Sequence, residues 1–306
     1  MMVYATAGMR MKEAEYPEAS KTLWQSIRET LRHKVQSTLP EHHILEKLEA
    51  RTITGYEEGA YAWLSVRLKD HTNNNDFGLL ELGGASAQIV FPCQTCKESV
   101  STILVEGQPV KLFSHSFLGL GQNLAVKSVL KHPLDEASPC SYGAGKNDEN
   151  WAKLSCSNDI RIVSHQNIYD PYNYTKTGQR GKYRHIPDPD PMSKNFQWFL
   201  AGAFSYMQKD DIDNFCRDDK SAYMPETACF RAIYQHKLLQ TLEIADAAVS
   251  DSSWTFGAAV CTDTHCMDNS VKLQCKWLPG ECLWKPKNPE PGDKKPTFLA
   301  SHSRGY

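Results

Sequence analysis

The stretch 77–91 constrains the fold more than any other part of the sequence. An apolar run reaches the carboxylate of Glu81, breaks at Gly83 and Gly84, and resumes after Ser86 as a second apolar run. This order predicts strand, tight turn and strand, because glycine accepts backbone conformations that other residues avoid. Successive backbone amides in such a turn can form an anion-binding concavity. We therefore expect a hairpin that binds phosphate.

The polar residues of this hairpin point to hydrolysis. A carboxylate at the end of a buried strand needs a partner, which makes an ordinary hairpin a poor explanation of Glu81 and favours a metal ion beside it. Ser86 and Gln88 carry groups that can orient a water molecule. The hairpin thus predicts a phosphate-hydrolysis site in outline.

Two earlier segments allow a functional and a structural interpretation. Thr6-Ala7-Gly8 follows a predicted strand and either contacts phosphate or simply turns the chain into a helix. Glu57 and Glu58 begin a predicted helix, where the helix dipole favours acidic side chains in any case. One glutamate can be ordinary helix decoration while the other acts as a general base on a water molecule.

Charge and cysteine content bear on the substrate and the compartment. A formal net charge of −2 gives no reason to expect nucleic acid as a partner, and an acidic enzyme acting on phosphates needs a cation to offset repulsion. The ten cysteines favour disulfides, because Cys93-x-x-Cys96 lacks a second ligand pair at zinc-site spacing. Disulfides and the sequon Asn173-Tyr174-Thr175 indicate a secreted or secretory-pathway protein.

The start of the chain does not match that compartment. The first residues contain no signal peptide, and no window approaches the roughly 20 apolar residues of a transmembrane helix. A cysteine-rich chain without an entry signal predicts that an N-terminal segment is missing.

Periodicity predicts an α/β fold with mixed sheets. Residues 165–195 predict a long surface loop, residues 252–260 a compact apolar element, and the tail beyond Cys282 a poorly ordered segment. Helices are expected at 20–36, 57–69, 121–131, 195–207 and 228–249, and strands near 3–8, 77–91, 101–106, 110–116 and 159–164.

The candidate segments occur in an order that resembles the apyrase family of nucleoside triphosphate diphosphohydrolases, which includes ecto-apyrases and Golgi nucleoside diphosphatases. The resemblance covers residues 1 to about 268. It rests on segments 5–10, 53–63, 80–88 and 254–257, which look like the second to fifth apyrase motifs, and on 116–121.

The resemblance implies an actin/Hsp70-like fold, in which two RNase H-like α/β lobes hold nucleotide in the cleft between them. Residues 1–54 would be the remainder of an incomplete first lobe, 55–250 the second lobe, 251–268 a return to the first, and 269–306 a tail. Tyr206, in segment 199–206, is the candidate nucleobase contact, although a buried helix face explains that segment equally well.

The family's chemistry is removal of terminal phosphates from nucleoside tri- and diphosphates with Ca²⁺ or Mg²⁺. The resemblance implies that Glu58 is the catalytic base, that Ser86 and Gln88 hold the attacking water, and that Glu81 binds the metal through water. The implied phosphate contacts are Thr6, Ala7, Gly83, Gly84, Ala85 and Ser86.

Two departures from the family pattern leave an alternative open. Glu81 stands where the family usually has Asp, which moves the carboxylate by roughly 1.5 Å, one C–C bond. The family's first motif, Asp-x-Gly-Ser-Ser, is absent, so we expect a truncated sequence whose full-length form could be membrane-anchored. The alternative is therefore a catalytically impaired, nucleotide-binding relative. An actin-like sugar kinase would instead need a sugar-binding Asp base.

Overall fold

The computed structural model describes residues 1–38, 48–70, 75–164, 167–174, 180–189, 196–206, 215–217 and 224–267. The predicted tail, with Cys275 and Cys282, lies outside these ranges. In chain order the strands are β1 Met2–Ala5, β2 Glu49–Thr52, β3 Phe77–Leu82, β4 Ser86–Pro92, β5 Val100–Val105, β6 Gln108–Leu118, β7 Val163–Ser164, β8 Asn167–Tyr174, β9 Arg180–His185, β10 Gln197–Gly202 and β11 Ala248–Val249. The helices are α1 Ala7–Glu15, α2 Pro17–Thr38, α3 Gly55–Lys69, α4 Ala125–Ser128, α5 Glu149–Asp159, α6 Ala228–Thr241 and α7 Trp254–Thr264.

The main sheet has six strands in the order β11-β10-β3-β4-β6-β5. Strands β3, β4, β6 and β5 pair antiparallel, whereas β10 pairs parallel to both β3 and β11. The predicted α/β class with mixed sheets is confirmed, as is the predicted hairpin between β3 and β4. Strands β1 and β2 form a separate two-stranded parallel ladder.

Alternation along the strands sends side chains to two hydrophobic clusters, one on each face of the main sheet. Phe77 and Leu79 of β3 face helices α3 and α7, whereas Leu80 and Leu82 face the cluster that includes α6. By the same period of two, Glu81 lies on the α3 face. The hydrophobic alternation of the strands therefore fixes which polar residues face α3.

Helix α3 is covered almost all round, and every residue from 57 to 66 is buried. Its Trp63 stacks on Phe77 with ring centroids 4.7 Å apart and donates from Nε1 to the Phe77 carbonyl at 3.2 Å. Helix α7 packs so closely on the other side that a Cβ on Gly257 would lie 1.8 Å from the Tyr61 carbonyl oxygen. The position of α3 is therefore fixed from both sides.

Several local predictions were wrong. The segment predicted as a helix at 195–207 is strand β10 followed by a 3-10 turn, Ala203–Tyr206, because a central strand buried on both faces is as continuously apolar as a buried helix. The predicted loop 165–195 contains the antiparallel pair β8–β9. The helix predicted at 228–249 ends at Thr241, and the helix predicted at 121–131 is reduced to α4.

The expectation of disulfides is confirmed. The described part of the chain contains four and has no free cysteine: Cys93–Cys96, Cys140–Cys156, Cys216–Cys229 and Cys261–Cys266. Within the same ranges, every helix is too short or too polar to cross a membrane.

The close packing of α3 against α7 can be tested by adding one methyl group. Gly257→Ala should lower the free energy of unfolding by about 3 kcal/mol or more, because the new Cβ meets backbone that cannot rotate away. Gly8→Ala is the matched control, since Gly8 is helical and a Cβ there would have no neighbouring atom within 4 Å, and it should stabilise by up to about 1 kcal/mol. Urea unfolding of both variants measures this, and equal effects would contradict the packing argument.

Candidate functional site

The residues singled out from sequence meet at the end of the β3–β4 hairpin, on the sheet face covered by α3. Glu81 and Gln88 are directly opposite each other in the antiparallel register. Gln88 is in turn opposite Ser116 of β6, and Ser86 precedes Gln88 by two residues on the same face. Three neighbouring strands therefore present polar side chains to the first turn of α3.

The first turn of α3 separates the roles of the two adjacent glutamates. The Thr54 side chain accepts from the Glu57 amide at 3.1 Å, and Glu57 accepts from the Thr54 amide at 2.7 Å, which makes a capping box. Arg51 binds both carboxylate oxygens of Glu57, at 2.6 and 3.0 Å. Glu57 is therefore committed to the helix start, whereas the buried Glu58 faces the hairpin.

Glu58 is held by an arginine from α1. Its Oε2 accepts from Arg10 Nη1 at 2.8 Å, and its side chain is only 4% exposed. Burial raises the pKa of Glu58, while the charge and hydrogen bond of Arg10 and hydrogen bonds from Gln88 and Thr6 oppose that rise. The buried Glu58 carboxylate therefore has a raised pKa, which favours its acceptance of a proton.

A hydrogen bond joins Gln88 to Ser86, with Gln88 as the donor and Ser86 as the acceptor. Gln88 Nε2 donates to Ser86 Oγ at 2.8 Å, and Arg10 Nη2 donates to the same oxygen at 3.4 Å. Because both lone pairs of the hydroxyl are engaged, its proton remains available to donate. Gln88 Oε1 is buried and has no hydrogen-bond partner within the described ranges. The pair thus offers one donor and one acceptor to a small polar molecule.

One oxygen of Glu81 has no partner among the residues that the structure describes. The residue is buried, and Oε2 makes no hydrogen bond to any described residue. Burial raises the pKa of Glu81 to about 8, with the negative charge of Glu58 adding to the rise and Arg10 opposing it. An orphaned buried carboxylate oxygen of this kind suits a cation or a water bound to one.

The turn between β3 and β4 is braced from behind by the segment that follows β6. The carbonyls of Gly83, Gly84 and Ala85 accept from the amides of residues 122, 123 and 119 at 2.8–2.9 Å. A Cβ on Gly121 would lie 2.2 Å from the Ala85 nitrogen, so only glycine permits this approach. Within the described part of the chain, the amides of Gly84 and Ala85 have no acceptor, and Gly84 is exposed. This suits an anion-binding turn.

The remaining residues predicted from the sequence differ in whether they lie at the site. Thr6 precedes α1, where its carbonyl accepts from the amides of Met9 and Arg10, and Ala7 is buried at the helix start. The Thr6 side chain is close enough to Glu58 to oppose the rise in the pKa of that carboxylate, which places this segment at the site. Tyr206 lies in the 3-10 turn after β10 with 85% of its surface exposed, so it is not packed into the cluster. Its assignment to the nucleobase stays a prediction.

Sequence reasoning missed Arg10 and Ser116 as members of the site. Arg10 Nη2 donates to Ser116 Oγ at 3.2 Å in addition to its bonds to Glu58 and Ser86. Both residues lie in segments that carry the family resemblance. The signal was therefore present, but nothing in the sequence next to Arg10 indicates that the fold brings Glu58 beside it.

The raised pKa of Glu81 predicts a pH-dependent stability. Ionising a buried Glu81 is unfavourable, so stability is lost as the pH rises from the ordinary 4.5 through about 8. Without divalent cations, Glu81→Gln should match the wild type near pH 4.5 but exceed its free energy of unfolding by roughly 3–5 kcal/mol above pH 8. Urea unfolding across this range with a chelator present measures the difference. The exposed control, Glu136→Gln, should show no such pH-dependent gain.

Comparisons with known proteins bear on this arrangement. Ectonucleoside triphosphate diphosphohydrolase 1 of Rattus norvegicus is 27% identical over 175 residues, which cover 49% of this chain and 32% of the relative. Probable apyrase 3 of Arabidopsis thaliana is 32% identical over 133 residues, covering 42% of this chain and 26% of the relative. The chain thus spans about a third or less of the length of these curated relatives.

Solved structures show a distant likeness. A nucleoside triphosphate hydrolase of Neospora caninum aligns with a TM-score of 0.45 and 16% identity, over 85% of this chain and 71% of that one. The PPX-GPPA enzyme of Aquifex aeolicus aligns with a TM-score of 0.44 and 14% identity, over 84% and 73%.

The family comparison covers the site. The GDA1/CD39 (nucleoside phosphatase) family matches residues 1–183, which is more than half of the 306 residues and includes Thr6, Glu58, Glu81 and the hairpin. The chain belongs to the GDA1/CD39 (nucleoside phosphatase) family.

Proposed function

We propose that the protein hydrolyses the terminal phosphate of nucleoside tri- and diphosphates, with Glu58 as the general base. The observation that carries the proposal is the convergence of Glu58, Ser86 and Gln88 around one buried point with complementary hydrogen-bonding capacity. A water there would donate protons to Glu58 and Gln88 Oε1 and accept one from Ser86 Oγ. Such a water is oriented by the protein before the substrate arrives.

In the proposed reaction, the water oxygen attacks the terminal phosphorus and its proton passes to Glu58. The bond between that phosphorus and the bridging oxygen breaks, releasing inorganic phosphate and a nucleotide shorter by one phosphate. Burial raises the pKa of Glu58 and so makes it a stronger base than an exposed glutamate. The Gly83–Ala85 turn, through the amides of Gly84 and Ala85, would hold the phosphate oxygens together with Thr6 and Ala7.

A divalent cation, Ca²⁺ or Mg²⁺, would neutralise charge on the substrate phosphates. The unpaired Oε2 of Glu81 fits a ligand role, directly or through water. Among the described residues, those of this site included, no three His, Cys, Asp or Glu side chains are grouped to hold a metal, so the substrate phosphates would supply the other ligands. A site with one carboxylate and the substrate phosphates resembles the way Mg²⁺ is usually bound in nucleotide enzymes.

The proposal includes two lobes with the nucleotide between them. Residues 1–54 and 251–268 would form the first lobe, and residues 55–250 would form the second. Contacts within the chain are consistent with this division. Arg10 reaches from α1 to Ser86, so the site draws on both parts. Thr262 of α7 hydrogen-bonds Met2 of β1, which links the proposed return segment to the first part.

We further propose that the protein acts in the secretory pathway or outside the cell. Four disulfides in the described chain require an oxidising environment to form and persist. Nucleoside tri- and diphosphates would be its partners there, and nothing in its charge of −2 favours nucleic acid.

The two adjacent glutamates provide a direct test of the base. Glu58→Gln should lower kcat at least 100-fold, because the amide cannot accept the water proton. Glu57→Gln is the matched control: glutamine also completes a capping box, so kcat should stay within about threefold while some stability is lost with the Arg51 ion pair. Steady-state phosphate release from ATP and ADP measures both. Equal losses in the two variants would overturn the assignment of Glu58.

Metal removal tests the proposed cation and separates hydrolysis from binding. A chelator should reduce phosphate release to background, and added Mg²⁺ or Ca²⁺ should restore it, because the substrate charge would otherwise be poorly compensated. Calorimetry with ATP and the cation should show binding in parallel. Binding without phosphate release would instead support the catalytically impaired, nucleotide-binding alternative.

A further inference from the structure

We propose that Arg10 is a positioning residue that fixes the distance and orientation between the general base and the serine that holds the attacking water. The inference rests on the proposed function, and it adds a residue to which the hydrolysis scheme gives no part. It follows from the acceptors of the four hydrogen bonds that the Arg10 guanidinium donates.

Each terminal nitrogen of Arg10 serves a different side of the site. Nη1 donates to Glu58 Oε2 at 2.8 Å and to the carbonyl of Ile53 at 3.2 Å. Nη2 donates to Ser86 Oγ at 3.4 Å and to Ser116 Oγ at 3.2 Å. The guanidinium is planar and rigid, so fixing one nitrogen fixes the other. A displacement of Glu58 is therefore transmitted to Ser86 through one group.

The guanidinium is itself held in place. The Arg10 side chain is only 16% exposed, which limits the alternative conformations it can adopt. A Cβ on Gly55 would lie 2.3 Å from Ser116 Cβ and 3.7 Å from Arg10 Cζ, so the missing side chain at Gly55 lets β6 and Arg10 approach the start of α3. Ser116 thus contacts the guanidinium and limits its movement.

Arg10 also determines which way the Ser86 hydroxyl points. With Gln88 Nε2 and Arg10 Nη2 donating to its oxygen, Ser86 has only its proton left to offer. Removing Arg10 frees one lone pair, and the hydroxyl can then rotate to accept instead of donate. The water would lose both a fixed donor and a fixed base.

An ion pair that merely stabilises the fold predicts a different result. Such a pair would lower the melting temperature when broken and leave the chemical step intact. A positioning residue lowers kcat with little change in KM, because it acts on the geometry of attack and makes no contact with the phosphates in this scheme. The split between kcat and KM therefore distinguishes the two.

The experiment compares Arg10→Met, Arg10→Lys and the control Lys12→Met in the full chain with ATP and Mg²⁺. We expect Arg10→Met to lower kcat about 100-fold or more with KM within about threefold. Arg10→Lys should recover only part of the loss, since a single ammonium cannot reproduce the two-sided fork. Lys12 lies on the same helix, is 60% exposed and pairs with Glu15, so its loss should leave kcat within about twofold.

Chemical rescue tests the position of the lost group. For Arg10→Ala, millimolar guanidinium should raise kcat at least tenfold, whereas the same concentration of ammonium should raise kcat less. The proposal is overturned if Arg10→Met retains kcat within about threefold of wild type. It is also overturned if the loss is entirely in KM or if Lys12→Met loses as much.

Failure of the proposed function gives a separate result. If the wild-type chain releases no phosphate, the hydrolase proposal fails, and melting temperatures then decide on Arg10. Arg10→Met should lower Tm, and adding Glu58→Gln should recover at least half of the loss, because no buried charge remains uncompensated. Tm losses that simply add would overturn the linkage between Arg10 and Glu58.

Discussion

The fold buries two carboxylates, those of Glu58 and Glu81, on the same side of a sheet, with the guanidinium of Arg10 beside them. The site depends on this imbalance of charge. Glu58 is paired directly with Arg10, whereas Glu81 experiences Arg10 and Glu58 only at a distance. Burying two acids with one cation is unfavourable unless a second positive charge arrives or a proton is retained. Burial, and after it the negative charge of Glu58, raises the pKa of Glu81 to about 8. The site therefore favours either a proton on Glu81 or a positive charge beside it.

The scaffold holds these charges apart by rigid packing. Helix α3 is clamped between Trp63 against Phe77 on the sheet side and Gly257 on the α7 side, and its capping box fixes where its first turn begins. Since β3, β4 and β6 are locked in register, the separation of Glu58 from Ser86 and Gln88 is set by elements rather than by loops. Preorganisation of this kind is what positioning a water molecule requires.

The sequence was informative where local pattern and tertiary environment agree. The Gly83-Gly84 break predicted the hairpin correctly because turn chemistry is local. Strand β10 was mistaken for a helix because its burial on both faces removes the alternation that identifies a strand. Arg10 was missed for a different reason: it is 48 residues from Glu58 in sequence, and the parallel pairing of β1 with β2 places α1 near the start of α3.

The contacts of Glu57 and Glu58 give these adjacent glutamates different parts in the structure. Both residues start a helix, and both are favoured there by the dipole. Glu57 commits its two oxygens to Arg51 and the Thr54 amide, whereas Glu58 turns toward a hairpin in which Gln88 Oε1 and Glu81 Oε2 have no partner among the described residues. Buried polar atoms are usually satisfied within a protein, so unsatisfied atoms facing one point indicate a ligand. We infer that water completes Gln88 and a cation completes Glu81, which makes Glu58 the base and Glu57 its support.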